Sequence, residues 1–120
     1  MLASENRLLK PDDFRTTMKS GRKVSSAHLV IYLKRVPGNA QARFGFVVGK
    51  IVGGAVQRNL VKRRLRAGIR EQVIQQRSLP ENEGIDLVVR ALPGAAQLDW
   101  NKLSTELEAN LIKALGPANA

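Results

Sequence analysis

Two rows of side chains, one apolar and one basic, run along the segment from Ala55 to about Gln76, which contains no proline. Residues spaced by four share one face of an α-helix, so the members of each row are neighbours in a helix. The apolar row is Val61, Leu65, Ile69 and Val73, and the basic row beside it is Arg58, Lys62, Arg66 and Arg70. By helical angle Arg63 joins the basic row, whereas Arg64 falls on the other flank. The pattern predicts a helix that packs through one face and offers the other to anions.

The positive charge of the chain is concentrated in the same region. The 120 residues include 20 Lys and Arg against 10 Asp and Glu, a formal charge of +10, which divides into +13 over residues 1–77 and −3 over residues 78–120. Between Lys50 and Arg70 there are seven basic residues and no acidic one. A merely solvated helix face usually mixes both signs to gain ion pairs. The unneutralised charge therefore favours a polyanionic partner, with nucleic acid ahead of anionic lipid.

A shorter helix is predicted near the N-terminus. Pro11 followed by two acidic residues is typical of a first helical turn, Phe14 and Met18 then fall on one face, and Gly21 ends the helix. The N-terminal residues Met1 to Asn6 lack a basic stretch followed by an apolar core, so we expect no secretory signal. The apolar runs of the chain are also far shorter than the ~20 residues that cross a bilayer. We therefore expect a cytoplasmic protein without a membrane partner.

Runs of β-branched and aromatic residues predict strands. Leu29 to Leu33 and Arg43 to Val48 are expected to form an antiparallel pair, Ile85 to Arg90 is a third strand, and Lys23 to Ser26 is a candidate short strand. A last helix is predicted from a stripe of large apolar residues at helical spacing, formed by Trp100, Leu103, Leu107, Leu111 and Leu115.

The resulting order of elements is αβββαβα. This order predicts an α+β fold in which helices pack on a sheet, as a single-domain α-β sandwich over residues 1–120. Residues 117–120 are expected to be a frayed tail. A chain of this length can bury roughly two thirds of its unfolded surface around one core.

Residue types that perform catalysis or hold metals are sparse. The chain has no cysteine, which excludes disulfides and thiolate zinc sites, and its only histidine, His28, reads as a surface or strand-end residue. The glycines of the segment from Gly45 to Lys50 have three residues between them, and Ile51 follows the lysine, so the phosphate-binding P-loop pattern is not met. The carboxylates lie away from the basic helix in sequence. We predict no catalytic residue and no metal site within this chain.

Five aromatic residues offer a second kind of contact. Tyr32 and one of Phe44 and Phe46 are candidates for outward-facing rings that stack on unpaired bases, as in proteins that bind single strands. A place in the core is the alternative for each of these rings.

The segment from Gly53 to Arg66 resembles the signature of the bacterial ribonuclease P protein subunit. That signature is Arg-Asn, two residues, Lys-Arg, two residues and Arg. Asn59 would supply a directional donor and acceptor among the charges. Supporting similarities extend over most of the chain: Arg7-Leu8, Asp13-Phe14, Gly21-Arg22, Arg43 to Gly45, Gly49-Lys50 and Asp86 to Arg90.

This resemblance implies an α-β sandwich with a left-handed βαβ crossover, an exception to the usual right-handed rule. It also implies a ribonucleoprotein endonuclease. In that family the RNA subunit hydrolyses the precursor tRNA with Mg²⁺ and removes its 5′ leader, while the protein binds the catalytic RNA and the single-stranded leader. The implied partners are that RNA and precursor tRNA, with no obligate protein partner and no metal held stably by the protein alone.

The resemblance also implies roles for particular residues. The implied RNA-binding residues, together with the rest of the basic row, are Lys50, Arg58, Asn59, Lys62, Arg63, Arg66 and Arg70. The implied leader-binding residues are Phe14, Met18 and Tyr32. The chain departs from the family pattern at Met18, where a second aromatic is frequent, at Ile51, where a second lysine is frequent, and over Ala67 to Ile69. Within that last run, Gly68 costs a helix about 1 kcal/mol relative to alanine.

Two other functions remain open at this point. A structural RNA-binding protein, of the ribosomal or RNA-chaperone type, would have the same composition and charge, and only the spacing from Arg58 to Arg66 favours ribonuclease P over it. A protein-only nuclease would require metal-dependent cleavage by the purified chain and loss of that cleavage on mutation of a carboxylate.

Overall fold

A computed structural model describes residues 7, 8, 10–37, 42–75 and 83–116. The helices are α1 (Pro11–Ser20), α2 (Ala55–Ile69) and α3 (Trp100–Leu115), and the strands are β1 (Arg22–Ser25), β2 (Leu29–Pro37), β3 (Arg43–Val47) and β4 (Glu83–Ala91). A π-helical turn, Arg70–Gln75, extends α2, and a 3₁₀ turn, Ala95–Gln97, precedes α3. These elements follow the predicted order αβββαβα, and the tail at 117–120 lies outside the described residues. Within the described ranges, no helix has both the length and the apolar character to span a bilayer.

The four strands form one mixed sheet in the order β1-β2-β4-β3. β4 pairs antiparallel with β2 and parallel with β3, so the predicted direct pairing of β2 with β3 is wrong. β4 takes the position between them because its residues from Ile85 to Val89 are buried on both faces, as a central strand requires. β3, α2 and β4 therefore form a βαβ unit. Its left-handed crossover stays a prediction.

α2 and α3 pack on one face of this sheet and enclose the main core. All four members of the apolar row of α2 have no exposed surface, which confirms the predicted packing face. They meet the apolar stripe of α3, in which Leu103, Leu107 and Leu111 are each 1% exposed. Gly68 belongs to this contact, since a Cβ there would lie 2.6 Å from Cδ2 of Leu107. The glycine that weakens the helix thus lets the two helices approach closely.

α1 packs on the opposite face of the sheet, over a second apolar cluster. The buried members of this cluster are Leu8, Val30, Tyr32 and Val88. Across this face α1 runs from β3 toward β2, because Asp13 reaches Arg43 on β3, whereas Gly21 abuts the carbonyl of Leu33 on β2. The described chain is therefore a sheet covered by helices on both faces, which confirms the predicted α-β sandwich.

A polar network ties the turn between β1 and β2 to α3. The Glu106 carboxylate accepts hydrogen bonds from Ser26 Oγ, from the His28 backbone N–H at 2.7 Å and from the His28 ring at 2.8 Å. Asn110 Nδ2 also donates to Ser26 Oγ at 2.8 Å. Burial alone would raise the pKa of Glu106, but the hydrogen bonds from Ser26 and His28 outweigh it and hold that pKa below its usual value. His28 immediately precedes β2, which agrees with its expected place at a strand end, and its ring contacts Glu106.

Candidate nucleic-acid interface

The outward side of α2 carries the predicted RNA-binding residues. We call this surface the basic face; its members are Arg58, Asn59, Lys62, Arg63, Arg66 and Arg70. Burial of the apolar row fixes the rotation of α2, and the basic face is half-buried at Arg58 and Lys62 and exposed elsewhere. Within the described part of the chain, no carboxylate forms an ion pair with any of these cations. The face therefore offers a row of charges without internal neutralisation.

Two arginines of α2 have different surroundings. Arg64, on the other flank, donates from Nη1 to the carbonyl of Leu98 at 2.8 Å and so joins α2 to the segment before α3. Arg58 has its Nε buried without a hydrogen-bond acceptor among the described residues. A buried donor without an acceptor carries a cost in folding free energy.

Along the basic face runs a groove of about 500 Å³. Its walls are Asn59, Lys62, Arg63, Arg66 and Ala67. The cations contribute charge, and the Asn59 amide contributes both a donor and an acceptor with fixed directions. This arrangement suits the phosphates and sugar edges of an RNA strand.

A smaller cavity, of about 160 Å³, joins the basic face to α1 at the edge of β3. Its apolar lining is Leu8, Phe14, Phe44, Gly45 and Phe46, and its cations are Arg7, Lys62 and Arg66. The structure thus brings Phe14, predicted to bind the leader, together with two residues predicted to bind RNA. A cavity with an apolar lining and cations at its rim fits a nucleotide. The nucleobase can stack on the aromatic rings, and the phosphate can contact the cations.

Next to α1, a strip of the sheet remains partly exposed. We call it the sheet cleft; α1 forms its wall with Phe14 and Met18, and its floor is Val47, Arg90 and Leu92, all of them half-buried. Arg90 lies at the centre, because the register places it between Val30 of β2 and Val47 of β3. Among the described residues it has no ion-pair partner.

The sequence did not identify Arg90 as a candidate site residue. Side chains alternate along β4, so Arg90 lies on the same face as Val88. This alternation was the feature of the sequence that could have placed Arg90 on that face. The pattern did not reveal that α1 covers that face, or that β2 and β3 both flank β4.

The aromatic candidates separate onto the two faces of the sheet. Tyr32 lies on the α1 side and is only 7% exposed, within the cluster beneath that helix. Phe44 lies in the main core on the other side at 1% exposure, and half-buried Phe46 packs against the same core. Phe46 also reaches the small cavity at the edge of β3. Stacking on bases by Tyr32 stays a prediction.

The remaining predicted residue, Lys50, lies in the turn between β3 and α2. It is exposed, and its carbonyl accepts a hydrogen bond from the N–H of Gly53 at 3.2 Å. Gly53 has φ +154° and its Cα lies close to Gln57, where a Cβ would be 2.1 Å from Oε1. Lys50 thus lies in the chain between Val47, which belongs to the floor of the sheet cleft, and the start of α2.

An ion pair holds α1 in its place beside the cleft. Arg43 of β3 donates to both carboxylate oxygens of Asp86 on β4, at 2.9 and 2.7 Å, and approaches Asp13 of α1 at 3.4 Å. The hydrogen bonds to Asp86 raise the pKa of Arg43, and they outweigh the opposing effect of burial. Because Asp13 directly precedes Phe14, this contact joins the part of α1 that carries Phe14 to β3.

Comparisons with known proteins agree with this geometry. The family model for ribonuclease P matches residues 2–115. A ribonuclease P protein component from Streptomyces avermitilis is 44% identical over 124 residues, which cover 97% of each chain, and one from Pseudarthrobacter chlorophenolicus is 40% identical over 96% of this chain and 81% of its own. The solved structure of the Staphylococcus aureus RNase P protein superimposes with a TM-score of 0.81 at 27% identity, over 92% of this chain and 95% of that one. The chain therefore belongs to the ribonuclease P protein family.

Proposed function

We propose that this member of the ribonuclease P protein family contributes to removal of the 5′ leader of precursor tRNA by binding two RNAs at once. The basic face binds the catalytic RNA of the enzyme, and the sheet cleft binds the single-stranded leader. The observation that supports this proposal is the cavity whose lining includes Phe14, Lys62 and Arg66. This cavity connects the basic face to the sheet cleft, so the two RNAs would bind next to each other.

The basic face acts through charge and position. Its cations replace counterions on the RNA phosphates, so the affinity depends steeply on salt. Asn59 adds directional hydrogen bonds that fix the register of the RNA on α2.

The sheet cleft acts through stacking and a central charge. Phe14 offers its ring to a base, and Met18, at the position where the family often has a second aromatic, makes an apolar contact instead. Arg90 supplies a cation to the leader phosphates from the floor of the cleft. Tyr32 supports the cleft from beneath α1.

In this proposal the RNA subunit performs the hydrolysis, and its Mg²⁺ ions are held there. The protein lowers the electrostatic repulsion between the leader and the catalytic RNA by placing cations between them. It works in the cytoplasm, without an obligate protein partner.

Reconstitution tests the proposal. The purified chain is combined with a bacterial ribonuclease P RNA at low Mg²⁺, and removal of the 5′ leader is measured, together with the affinity of the holoenzyme for precursor and mature tRNA. We expect restored cleavage, tighter binding of the precursor, and little cleavage by the protein alone. RNA binding without restored cleavage would instead support a purely structural RNA-binding protein. Cleavage by the protein alone would indicate a nuclease of its own.

A further inference from the structure

We propose that the sheet cleft continues past its centre to the β1 edge of the sheet, where Lys23 contacts a leader phosphate farther from the cleavage site. The inference rests on the proposed leader binding and adds to it a dependence on leader length. Lys23 belongs to none of the surfaces described above.

The face of the sheet that carries the cleft floor continues across all four strands, and its β2 residue, Val30, is only 6% exposed. The pairing register places Val47 of β3, Arg90 of β4, Val30 of β2 and Ser25 of β1 side by side in one row. α1 runs in the same direction, from β3 toward β2, and forms a wall beside this row. A strand lying against α1 would therefore travel from one edge of the sheet to the other.

Lys23 stands on the cleft side of the sheet, just beyond the end of α1. Its register partner is Tyr32, so both side chains project from the same face. The end of α1 is held tightly at this point, because a Cβ on Gly21 would lie 2.8 Å from the carbonyl oxygen of Leu33. Lys23 is exposed, and it forms no ion pair with another described residue.

The direction of the leader follows from where the catalytic RNA docks. α2 begins directly after the turn that follows β3, so RNA on the basic face lies near the β3 end of the cleft. Leader nucleotides next to the cleavage site then occupy that end, and more distant ones lie toward β1. Two strand spacings, about 10 Å, separate the strand of Arg90 from that of Lys23, a gap that a few nucleotides can cross.

Arg22 provides a matched control for Lys23. It is the preceding residue, is also exposed and carries the same charge. Its register partner is Leu33, which faces the main core, so Arg22 projects from the other side of the sheet. If the leader contacts Lys23 in the cleft, only the Lys23 substitution should weaken leader binding. If positive charge at this corner of the sheet attracts RNA in general, both substitutions should weaken it.

The experiment measures how tightly holoenzymes carrying Lys23→Gln or Arg22→Gln bind three RNAs: mature tRNA, a precursor whose short leader ends within the β3 half of the cleft, and a precursor with a longer leader. We expect Lys23→Gln to bind the long-leader precursor several-fold more weakly than wild type. The slope of log affinity against log salt should fall by about 0.7 for that RNA, as for one lost contact to a single strand. Arg22→Gln should match wild type on all three RNAs.

The outcomes separate this inference from the proposed function. If wild type prefers long precursors but Lys23→Gln behaves like Arg22→Gln, the extension of the cleft is wrong and leader binding stands. Equal weakening by Lys23→Gln on mature tRNA and both precursors would assign Lys23 to the catalytic RNA and overturn the inference. If wild type does not distinguish precursor from mature tRNA, leader binding itself fails, and the inference fails with it.

Discussion

The ring of Phe14 lies directly over the Cα of Gly45, with no room for a side chain between them. A Cβ on Gly45 would lie 2.4 Å from Cε1 of Phe14 and 3.3 Å from Cβ of Leu8. Because Gly45 has no side chain, the ring of Phe14 can enter deeply into the small cavity between α1 and the basic face.

Replacing Gly45 with alanine should displace Phe14 and disturb both stability and leader binding. We expect the free energy of unfolding to fall by about 1–3 kcal/mol, as for an overpacked contact. The preference of the holoenzyme for precursor over mature tRNA should also decrease. Urea unfolding and paired binding measurements test these effects. Gly49→Ala is the control for stability, because a Cβ at Gly49 would have no neighbour within 4 Å.

Arginines on the two flanks of α2 should affect different properties. Arg66→Gln removes a cation of the basic face and should lower the salt slope of RNA binding by roughly 0.7–0.9 for each lost phosphate contact, with little change in stability. Arg64→Gln removes the hydrogen bond to Leu98 and should reduce the unfolding free energy by about 1 kcal/mol without changing the slope. An unchanged slope in Arg66→Gln would mean that RNA does not bind at the basic face.

Asp86→Asn should destabilise the protein more than Asp13→Asn. The Asp86 side chain is 6% exposed and forms two hydrogen bonds to Arg43, whereas Asp13 is 33% exposed and lies 3.4 Å away. We expect a loss of about 2 kcal/mol for Asp86→Asn, below the ~3–5 kcal/mol of a fully buried pair because Arg43 is partly exposed. Asp13→Asn should cost about 0.2–1 kcal/mol. Equal losses in chemical unfolding would contradict this ranking.

Stability should fall in acid partly through Glu106. Its pKa is lowered in the folded protein, so its contribution is complete above the unfolded value of about 4.5 and disappears as the pH falls through the lower folded value. The unfolding free energy of wild type should therefore decline more steeply below about pH 5 than that of Glu106→Gln. Parallel declines in the two proteins, measured by thermal unfolding over a pH series, would show that Glu106 does not contribute.

The sequence predicted the helices and the basic face well because both depend on local spacing. Four residues with no exposed surface at intervals of four leave α2 one orientation, and the basic row then faces outward. The pairing of β2 and β3 was wrong because strand neighbours depend on the whole sheet. A short connection between two strands favours a hairpin. The local spacing of residues carries no information about a later strand, β4, that enters between β2 and β3.

Contacts between distant residues account for the other differences. Asp13 reads as a helix-start residue and Asp86 as part of a remote acidic region, yet Arg43 brings them together. Arg90 likewise gains its position only from the strands on either side of β4. The Gly68 that lowers helix propensity is explained by Leu107, a residue 39 positions later in the chain.

The central position of β4 also bears on how the chain matures during synthesis. β2 and β3 share no hydrogen bonds with each other and depend on a strand that the ribosome adds almost 40 residues after β3. The apolar row of α2 likewise becomes buried only after α3 has been synthesised. Contacts between residues far apart in the sequence slow folding. A nascent chain will thus expose its most cationic segment before that segment has a scaffold. The final third of the chain, which is poor in Lys and Arg, completes the scaffold that holds the basic face in place.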